Sequence, residues 1–430
     1  MITTAFVKIW DQLAGAIAWD SETGLGSFEF DSKFLQMDLD LAPIKMPLAD
    51  SNRKIFSFPE LRATQTFKGL PGLLADVLPD KFGNTIINTW LNKQGRPSDS
   101  LNPVEMLCFI GKRGMGALEF EPAYSKYADM VSKIEIDSLV EVAERILSGK
   151  KDFASRLSKE EEKALLNILK IGTSAGGARA KAVIAFNPET NEVRSGQALA
   201  PKGFSHWLIK FDGVNDKQFG TSTGYGRVEM AYHLMANDAG IEMTECRLFE
   251  ENGRAHFMTR RYDRTDDNEK IHVQSFCAMR HFDFNEINLF SYEQLFETMR
   301  MLGLPYPQAE QVFRRMVFNV MGRNCDDHTK NFAFIMDKNG EWKISPAFDV
   351  CHAYRPGSDW VSQHALSIRG KRMNIEREDL LAISKEMNIK KANSIIDEIG
   401  QIMHNWESYA DQTGVDSALK KAINSTLRLL

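Results

Sequence analysis

The order of short apolar segments in the second half of the chain restricts its fold more than any other feature. From about residue 171 a glycine-rich stretch precedes two strand-like segments, KAVIAF and SHWLIKFD. A helical segment at 222–239 comes next, then two more strand-like segments, ECRLFE and RAHFMTRRYD, and then mostly helical patterns. Strands and helices that occur in separate runs are typical of an α+β fold. The sequence therefore predicts an α+β protein.

The first part of the chain predicts a small domain of its own. Residues 4–30 alternate in short β-like runs interrupted by Gly and Asp, which is typical of an antiparallel sheet. Helical patterns follow at 80–95 and 103–110, ahead of the glycine-rich run GKRGMGALEF. We place the end of this domain near residue 122.

Helical signals dominate the remainder. Ser158 and Glu161 have the spacing of a capping box ahead of the helical run KALLNILK. The segment 308–322 presents one broad apolar face and leads directly into the sequence NCDDHTKN. Three further helical runs are predicted in the last fifty residues.

Composition excludes several classes of protein. A content of 43% hydrophobic and 26% charged residues is ordinary for a folded protein and argues against disorder. The net charge of -5 gives little support to direct nucleic-acid binding. The five cysteines form no C-x-x-C pair, and no apolar run is long enough to span a bilayer. We expect a cytoplasmic protein that does not contact membranes.

The segment NCDDHTKNFAFI carries the strongest chemical signal. Asp326 stands five residues before Asn331, the separation found in the catalytic loop of protein kinases. In that interpretation Asp326 accepts the proton of the substrate hydroxyl and Asn331 binds Mg²⁺. Asp349 follows two short strand-like segments and would bridge the metal to the nucleotide phosphates. Each residue taken singly could instead be a helix cap or a turn residue.

A candidate phosphate-binding lysine lies upstream. Lys210 falls inside the apolar segment HWLIKFD, where an ammonium group is costly unless an anion meets it. The alternative is an outward-facing lysine on an edge strand. Glu229, on the following helix, is the natural carboxylate partner for this lysine, although a solvated surface glutamate explains it equally well.

The glycine-rich stretch IGTSAGGARAKA could bring main-chain N–H groups close to phosphate oxygens. It is not a Walker A motif, because Ala178 and Arg179 replace the required Lys and Ser or Thr. The segment TRRYDR ends a strand where a kinase would offer main-chain groups to adenine, although its arginines could equally be surface charges. Among competing chemistries the sequence contains no H-E-x-x-H and no G-x-S-x-G motif.

Taken together, these segments resemble the HipA family of serine/threonine kinase toxins. The pieces SAGGARAK, HWLIKFD, RRYDR, NCDDHTKNF and PAFDV resemble its kinase part, while FKGLPGLLADVLPDKFG and GKRGMGALEF resemble its N-terminal domain. The resemblance implies an N-terminal domain at 1–122, a kinase N-lobe-like region at 123–265 and a helical C-lobe at 266–430.

The resemblance also implies an activity and partners. Members phosphorylate a serine of a cytosolic protein with ATP and Mg²⁺, aminoacyl-tRNA synthetases being the known target class, and this halts translation. A HipB-like helix-turn-helix antitoxin is expected to complete the system and to provide the only contact with DNA. Ser174 corresponds to the serine that family members autophosphorylate, and a phosphate there would repel the phosphates of ATP. The alternative is an ordinary loop serine.

The same resemblance assigns residue roles. The catalytic residues would be Asp326, His328 and Lys330, and the metal ligands Asn331 and Asp349. The ATP-binding residues would be Gly176, Gly177, Ala178, Lys181, Lys210, Glu229, Arg260, Tyr262 and Asp263.

Two positions leave these assignments open. Arg260 stands where many members have Glu, but main-chain groups of Arg260 and Tyr262 would still read adenine. Asp327 adjoins Asp326, and either carboxylate could face the substrate, although the spacing to Asn331 favours Asp326. The alternative functions are a small-molecule or lipid phosphotransferase, or a kinase-like corepressor that works with a DNA-binding antitoxin.

Overall fold

The computed structural model describes residues 2–50, 54–123, 134–147, 165–169, 172, 179–195, 199–216, 220–221 and 223–430. These residues form two compact units, each assembled from several stretches of the chain. Unit 1 comprises Met1–Leu41, Met46–Gly226 and Arg247–Val273, and unit 2 comprises Ala42–Lys45, Arg227–Cys246 and Gln274–Leu430. The three consecutive domains proposed from the sequence stay a prediction.

An antiparallel sheet opens unit 1. Its strands are β1 (Thr4–Ile9), β2 (Gln12–Asp20), β3 (Leu25–Phe30) and β4 (Leu118–Glu121), in the order β3-β2-β1-β4. Alternate β1 side chains, at Ala5, Val7 and Ile9, are buried, as expected of a strand with one face on a core. The antiparallel sheet predicted for residues 4–30 is confirmed.

Four helices of unit 1 are α1 (Gly72–Ala75), α2 (Lys81–Lys93), α3 (Pro103–Ile110) and α4 (Ile136–Leu147). Asp80 is the N-cap of helix α2, and its side chain accepts a hydrogen bond from the Gly83 N–H at 2.6 Å. Helix α3 begins with a capping box between Asn102 and Glu105. The helices predicted at 80–95 and 103–110 are confirmed.

A second antiparallel sheet carries the candidate lysines. Its strand order is β10-β11-β7-β5-β6. Strands β8 and β9 form a separate two-stranded sheet. The strands are β5 (Lys181–Asn187), β6 (Glu192–Arg194), β7 (Ser205–Lys210), β8 (Asn215–Asp216), β9 (Gly220–Thr221), β10 (Cys246–Glu251) and β11 (Arg254–Arg260). The strands predicted from this part of the sequence are confirmed.

Unit 2 is mostly helical. Its helices are α5 (Tyr225–Asp238), α6 (Phe276–Arg280), α7 (Tyr292–Met301), α8 (Tyr306–Met321), α9 (Arg377–Glu386), α10 (Ala392–His404), α11 (Trp406–Gln412) and α12 (Ser417–Asn424). The first two residues of α5 are assigned to unit 1. A three-stranded sheet has the order β12 (His272–Ser275), β13 (Ala333–Met336) and β14 (Trp342–Ile344). The first two residues of β12 are assigned to unit 1.

Helix α8 is the centre of the unit 2 core. The apolar face predicted for it is buried, at Val312, Phe313, Met316, Val317, Val320 and Met321. Tyr232 of α5 packs its ring against Phe318 and Trp406 and donates its hydroxyl to the Gly322 carbonyl at 2.5 Å. This packing fixes the C-terminal end of α8, where the candidate catalytic segment begins.

The predicted α+β class and the helical C-terminal part are confirmed, the latter by the four helices from Arg377 to Asn424. The predicted capping box at Ser158 and Glu161 lies outside the described residues. Within the described part of the chain, no helix is both long enough and apolar enough to cross a bilayer.

Candidate active site

The segment after α8 is tied to the segment after Asp349. The Cys325 N–H donates to the Ala353 carbonyl, and the Ala353 N–H donates to the Arg323 carbonyl, both at 3.1 Å. Arg323 itself has a φ of 55°, a left-handed turn that redirects the chain after the helix. These bonds bring the two sequence motifs NCDDHTKN and PAFDV together.

Asn331 has a defined orientation within this loop. It ends a short 3₁₀ turn, Thr329–Asn331, that begins at His328. Its side-chain amide donates to the main-chain carbonyl of Asp326 at 2.6 Å. Since the amide nitrogen is used in this way, the amide oxygen is the atom left to meet a cation.

The Asp326 carboxylate is about one third exposed, with a side-chain accessibility of 36%. Its Oδ1 accepts a hydrogen bond from the Trp360 indole Nε1 at 2.6 Å and lies 3.7 Å from His328 Nε2. The pKa of Asp326 is raised, chiefly because the surrounding protein removes water; the charges of Asp349 and Asp327 add to this, while His328 and Trp360 oppose it. A raised pKa suits a group that must take up a proton.

Asp327 is in a different position from its neighbour. Its side chain is fully buried and accepts three hydrogen bonds, from the Tyr292 hydroxyl at 2.8 Å, His364 Nδ1 at 2.9 Å and the Ala365 N–H at 2.8 Å. Burial alone would lower the pKa of His364, but the Asp327 carboxylate raises it to about 10. Asp327 and His364 therefore form a buried ion pair, and this arrangement favours Asp326 as the carboxylate that meets the substrate.

Asp349 follows the β13–β14 hairpin and has a φ of 52°. A left-handed conformation is uncommon outside glycine, although Asp and Asn tolerate it best. Asp349 lines a small cavity, of about 20 Å³, together with Asn331, Asp327 and Asn324. The two proposed metal ligands thus face one space.

The chemistry of this cavity fits a hard divalent cation. The Asn324 Oδ1 atom is buried and, within the described residues, has no hydrogen-bond partner. Mg²⁺ prefers oxygen ligands and usually keeps waters and phosphate oxygens beside one or two protein groups. The described residues contain no cluster of three or more His, Cys, Asp or Glu side chains suited to a metal. A site with one carboxylate and one amide oxygen would depend on the nucleotide for its remaining ligands.

Two of the predicted ATP-binding residues are lysines on one face of the second sheet of unit 1. Lys181 of β5 and Lys210 of β7 are directly opposite each other in the strand pairing. Lys181 is buried, and the Lys210 ammonium lies 5.6 Å from the centre of the Phe257 ring. Residues opposite each other on paired strands share one face of the sheet, so both side chains lie on the same face. The phosphate-binding roles predicted for both lysines stay a prediction.

The candidate adenine-binding segment contains a buried charge cluster. Asp263 accepts bonds from Arg261 Nη2 at 2.6 Å, Arg264 Nη1 at 2.8 Å and the Gly116 N–H at 2.7 Å. All three charged side chains are buried. The two guanidinium groups hold the pKa of Asp263 well below its usual range, although burial opposes them. The carboxylate is thus hydrogen-bonded within the interior of unit 1, and its predicted contact with ATP stays a prediction.

The contacts of the remaining predicted site residues do not test the roles predicted for them. Arg260 forms an ion pair with Asp266 at the surface, and Tyr262 is half-buried. Glu229 is buried within α5. The Lys330 ammonium lies 5.5 Å from the centre of the Phe284 ring. Gly176, Gly177, Ala178 and the autophosphorylation candidate Ser174 lie outside the described residues.

Comparison with known protein families identifies the family of the chain. The sequence model of the HipA-like C-terminal domain matches residues 173–406, which is more than half of the chain. The chain belongs to the HipA-like family. A model of the HipA N-terminal domain matches residues 5–121 as well. Membership supports a HipA-like toxin or kinase-type role. The comparison with curated proteins found no match.

Solved structures support the same architecture. The HipA–HipB toxin–antitoxin system of Shewanella oneidensis MR-1 with its operator DNA matches with a TM-score of 0.68 and 15% identity, over 98% of this chain and 94% of that chain. At this identity the match shows the fold. The proinflammatory kinase CtkA of Helicobacter pylori matches over 53% of this HipA-like chain and 90% of the CtkA chain, at 15% identity. Its TM-score of 0.33 is too low to carry an argument.

Several site residues could not be found from the sequence. Trp360 is 34 residues from Asp326 in the sequence, yet it donates a hydrogen bond to it. Tyr292 and His364 are 35 and 37 residues from Asp327, to which both are hydrogen-bonded. None of the three lies in a motif. Only the fold of the HipA-like unit 2 brings them to the catalytic segment.

Proposed function

We propose that this chain is an ATP- and Mg²⁺-dependent serine/threonine protein kinase that acts as a HipA-like toxin. The observation that carries the proposal is the Asn331 amide bond to the Asp326 carbonyl. It holds the two motif residues in a fixed relation, and Asn331 and Asp349 both line one small cavity. Phosphoryl transfer requires this combination of a base and metal-binding oxygens.

In the proposed reaction each residue has one task. Asp326 takes the proton of the acceptor hydroxyl. Asn331 and Asp349 would hold Mg²⁺, which neutralises phosphate charge when bound. Lys210 and Lys181 would bind phosphate oxygens, and main-chain groups of Arg260 and Tyr262 would bind adenine. His328 lies beside Asp326 and would lower the pKa of its carboxyl group. Lys330 would face the substrate.

We further propose a translation-related target, such as an aminoacyl-tRNA synthetase, and self-limitation by phosphorylation of Ser174. A HipB-like antitoxin is the proposed partner, since the matched Shewanella structure is described as a HipA, HipB and operator DNA complex. DNA would be contacted through that partner, and the cytoplasm is the proposed location.

The test incubates the full chain with labelled ATP, Mg²⁺ and bacterial lysate, followed by mapping of phosphosites by mass spectrometry. We expect labelled serine in the chain and in a lysate protein. Asp326→Ala should abolish labelling, and Lys210→Ala should weaken ATP binding. Asp397→Ala and Lys343→Ala are matched controls, because both side chains are more than half exposed.

Two outcomes would overturn the proposal. Full labelling by Asp326→Ala would remove the assigned base. Labelling of a small molecule with no labelled protein would favour a metabolite phosphotransferase instead.

A further inference from the structure

The Trp360 indole is fixed beside the proposed base. Its Nε1–H donates to Asp326 Oδ1 at 2.6 Å. The turn that carries it is closed by its own bonds, because the main-chain N–H groups of Trp360 and Val361 both donate to Ser358 Oγ at 3.2 Å. Arg355 N–H also donates to the Val361 carbonyl at 3.2 Å. The indole is therefore presented by a structured loop.

Two further rings orient the indole. Trp360, His328 and Phe284 form an aromatic cluster, with ring centres 6.1 Å apart for Trp360 and His328 and 6.2 Å for Trp360 and Phe284. His328 and Phe284 complete the triangle at 5.2 Å. Both contacts of Trp360 are edge-to-face, the arrangement that ring quadrupoles favour. The hydrogen bond to Asp326 thus has a defined direction.

The bond occupies one of the two carboxylate oxygens. Within the described residues, the contacts of the Asp326 carboxylate with Trp360 and His328 both fall on Oδ1. Oδ2 is the atom left to accept a proton from a substrate hydroxyl. A carboxylate with no such contact would rotate about its terminal torsion, which is broad.

We propose that Trp360 is a positioning residue, which holds Asp326 so that Oδ2 faces the acceptor hydroxyl; this inference rests on the proposed kinase function. Oδ2 takes the hydroxyl proton while the acceptor oxygen bonds to the γ-phosphorus. The bond from that phosphorus to the nucleoside diphosphate breaks, and the diphosphate leaves. Trp360 touches none of the reacting atoms and acts through Asp326.

The test compares Trp360→Phe with the wild type in steady-state phosphorylation of a protein acceptor identified by the labelling experiment, or of the chain itself. Phe keeps a ring for the aromatic cluster and removes the N–H donor. We expect kcat to fall about tenfold or more, since small misplacements of catalytic groups have large effects on rate. KM for ATP and the unfolding temperature should stay close to wild type, because the ring packing remains.

Trp10→Phe is the matched control. The Trp10 indole donates a hydrogen bond of similar length, 2.7 Å, to the Lys270 carbonyl in unit 1. Loss of that bond should leave kcat unchanged. Trp360→His keeps a ring N–H donor and should retain more activity than Trp360→Phe, and it replaces that variant if Phe at this position prevents folding.

The outcomes separate the two proposals. An unchanged kcat in Trp360→Phe, or an equal loss in Trp10→Phe, overturns the positioning role. A higher kcat would mean that Trp360 obstructs the base, which also overturns it. If the wild-type chain transfers no phosphate to any acceptor, the kinase function itself fails.

Discussion

The side-chain amide of Asn331 donates a hydrogen bond to the main-chain carbonyl of Asp326 at 2.6 Å. This bond links the proposed metal ligand to the proposed base within one loop. It orients the amide so that the nitrogen meets the carbonyl and the oxygen is the atom left to bind a cation. An aspartate at this position would have no proton to donate and would place a negative charge against a carbonyl oxygen.

Asn331→Asp should therefore disturb the loop even though it adds a better cation ligand. We expect kcat for phosphorylation to fall about 100-fold, with a changed dependence on Mg²⁺ concentration. A Mg²⁺ titration of the phosphorylation rate measures both. Asn339→Asp, in the exposed turn between β13 and β14, is the control and should behave as wild type. Wild-type kinetics in Asn331→Asp would contradict this interpretation.

Neighbouring aspartates should respond differently to the same substitution. Asp327→Asn leaves the buried His364 without its carboxylate, and breaking a buried pair costs about 3–5 kcal/mol. Asp326→Asn should change the free energy of unfolding by less than about 1 kcal/mol while phosphorylation is lost. Urea unfolding with activity measurements tests this contrast. Equal destabilisation by both variants would argue against it.

The Asp327–His364 pair also predicts a pH dependence. The pKa of His364 is about 10 in the folded protein, whereas an unfolded histidine titrates near about 6.5. Between these values the folded state holds a proton that the unfolded state has lost. The stabilisation should be complete below about pH 6.5 and should decline as the pH rises towards about 10.

Urea unfolding of wild type and His364→Gln across this range is the measurement. The variant should show a weaker decline than the wild type. Parallel curves for the two proteins would show that His364 is not the group responsible.

Asp263 predicts a structural effect in unit 1. Asp263→Asn would leave Arg261 and Arg264 buried without a balancing charge, and we expect a loss of about 3–5 kcal/mol in the free energy of unfolding. Asp266→Asn is the matched control, since Asp266 pairs with Arg260 at the surface and such pairs contribute about 1 kcal/mol or less. Guanidinium unfolding compares them. If Asp263→Asn is as stable as the control, the cluster does not stabilise unit 1.

Local pattern was sufficient for much of the fold. The alternation in residues 4–30 and the apolar periodicity of 308–322 reflect which side chains must leave water, and both produced the expected elements. The spacing of Asp326 and Asn331 could also be recognised from the sequence, because both residues lie in one short loop.

The surroundings of that loop depend on tertiary structure. The sequence placed Asp326 and Asp327 side by side and could not tell which is buried, because burial is decided by α7, which supplies Tyr292, and by the segment of His364. Likewise, the sequence could not show that Arg261, Arg264 and the Gly116 N–H all bond to Asp263. Sequence determined which elements form and which motif residues share a loop. Contacts between distant residues decided which carboxylates are available for chemistry, because solvation and pairing depend on what packs against each group.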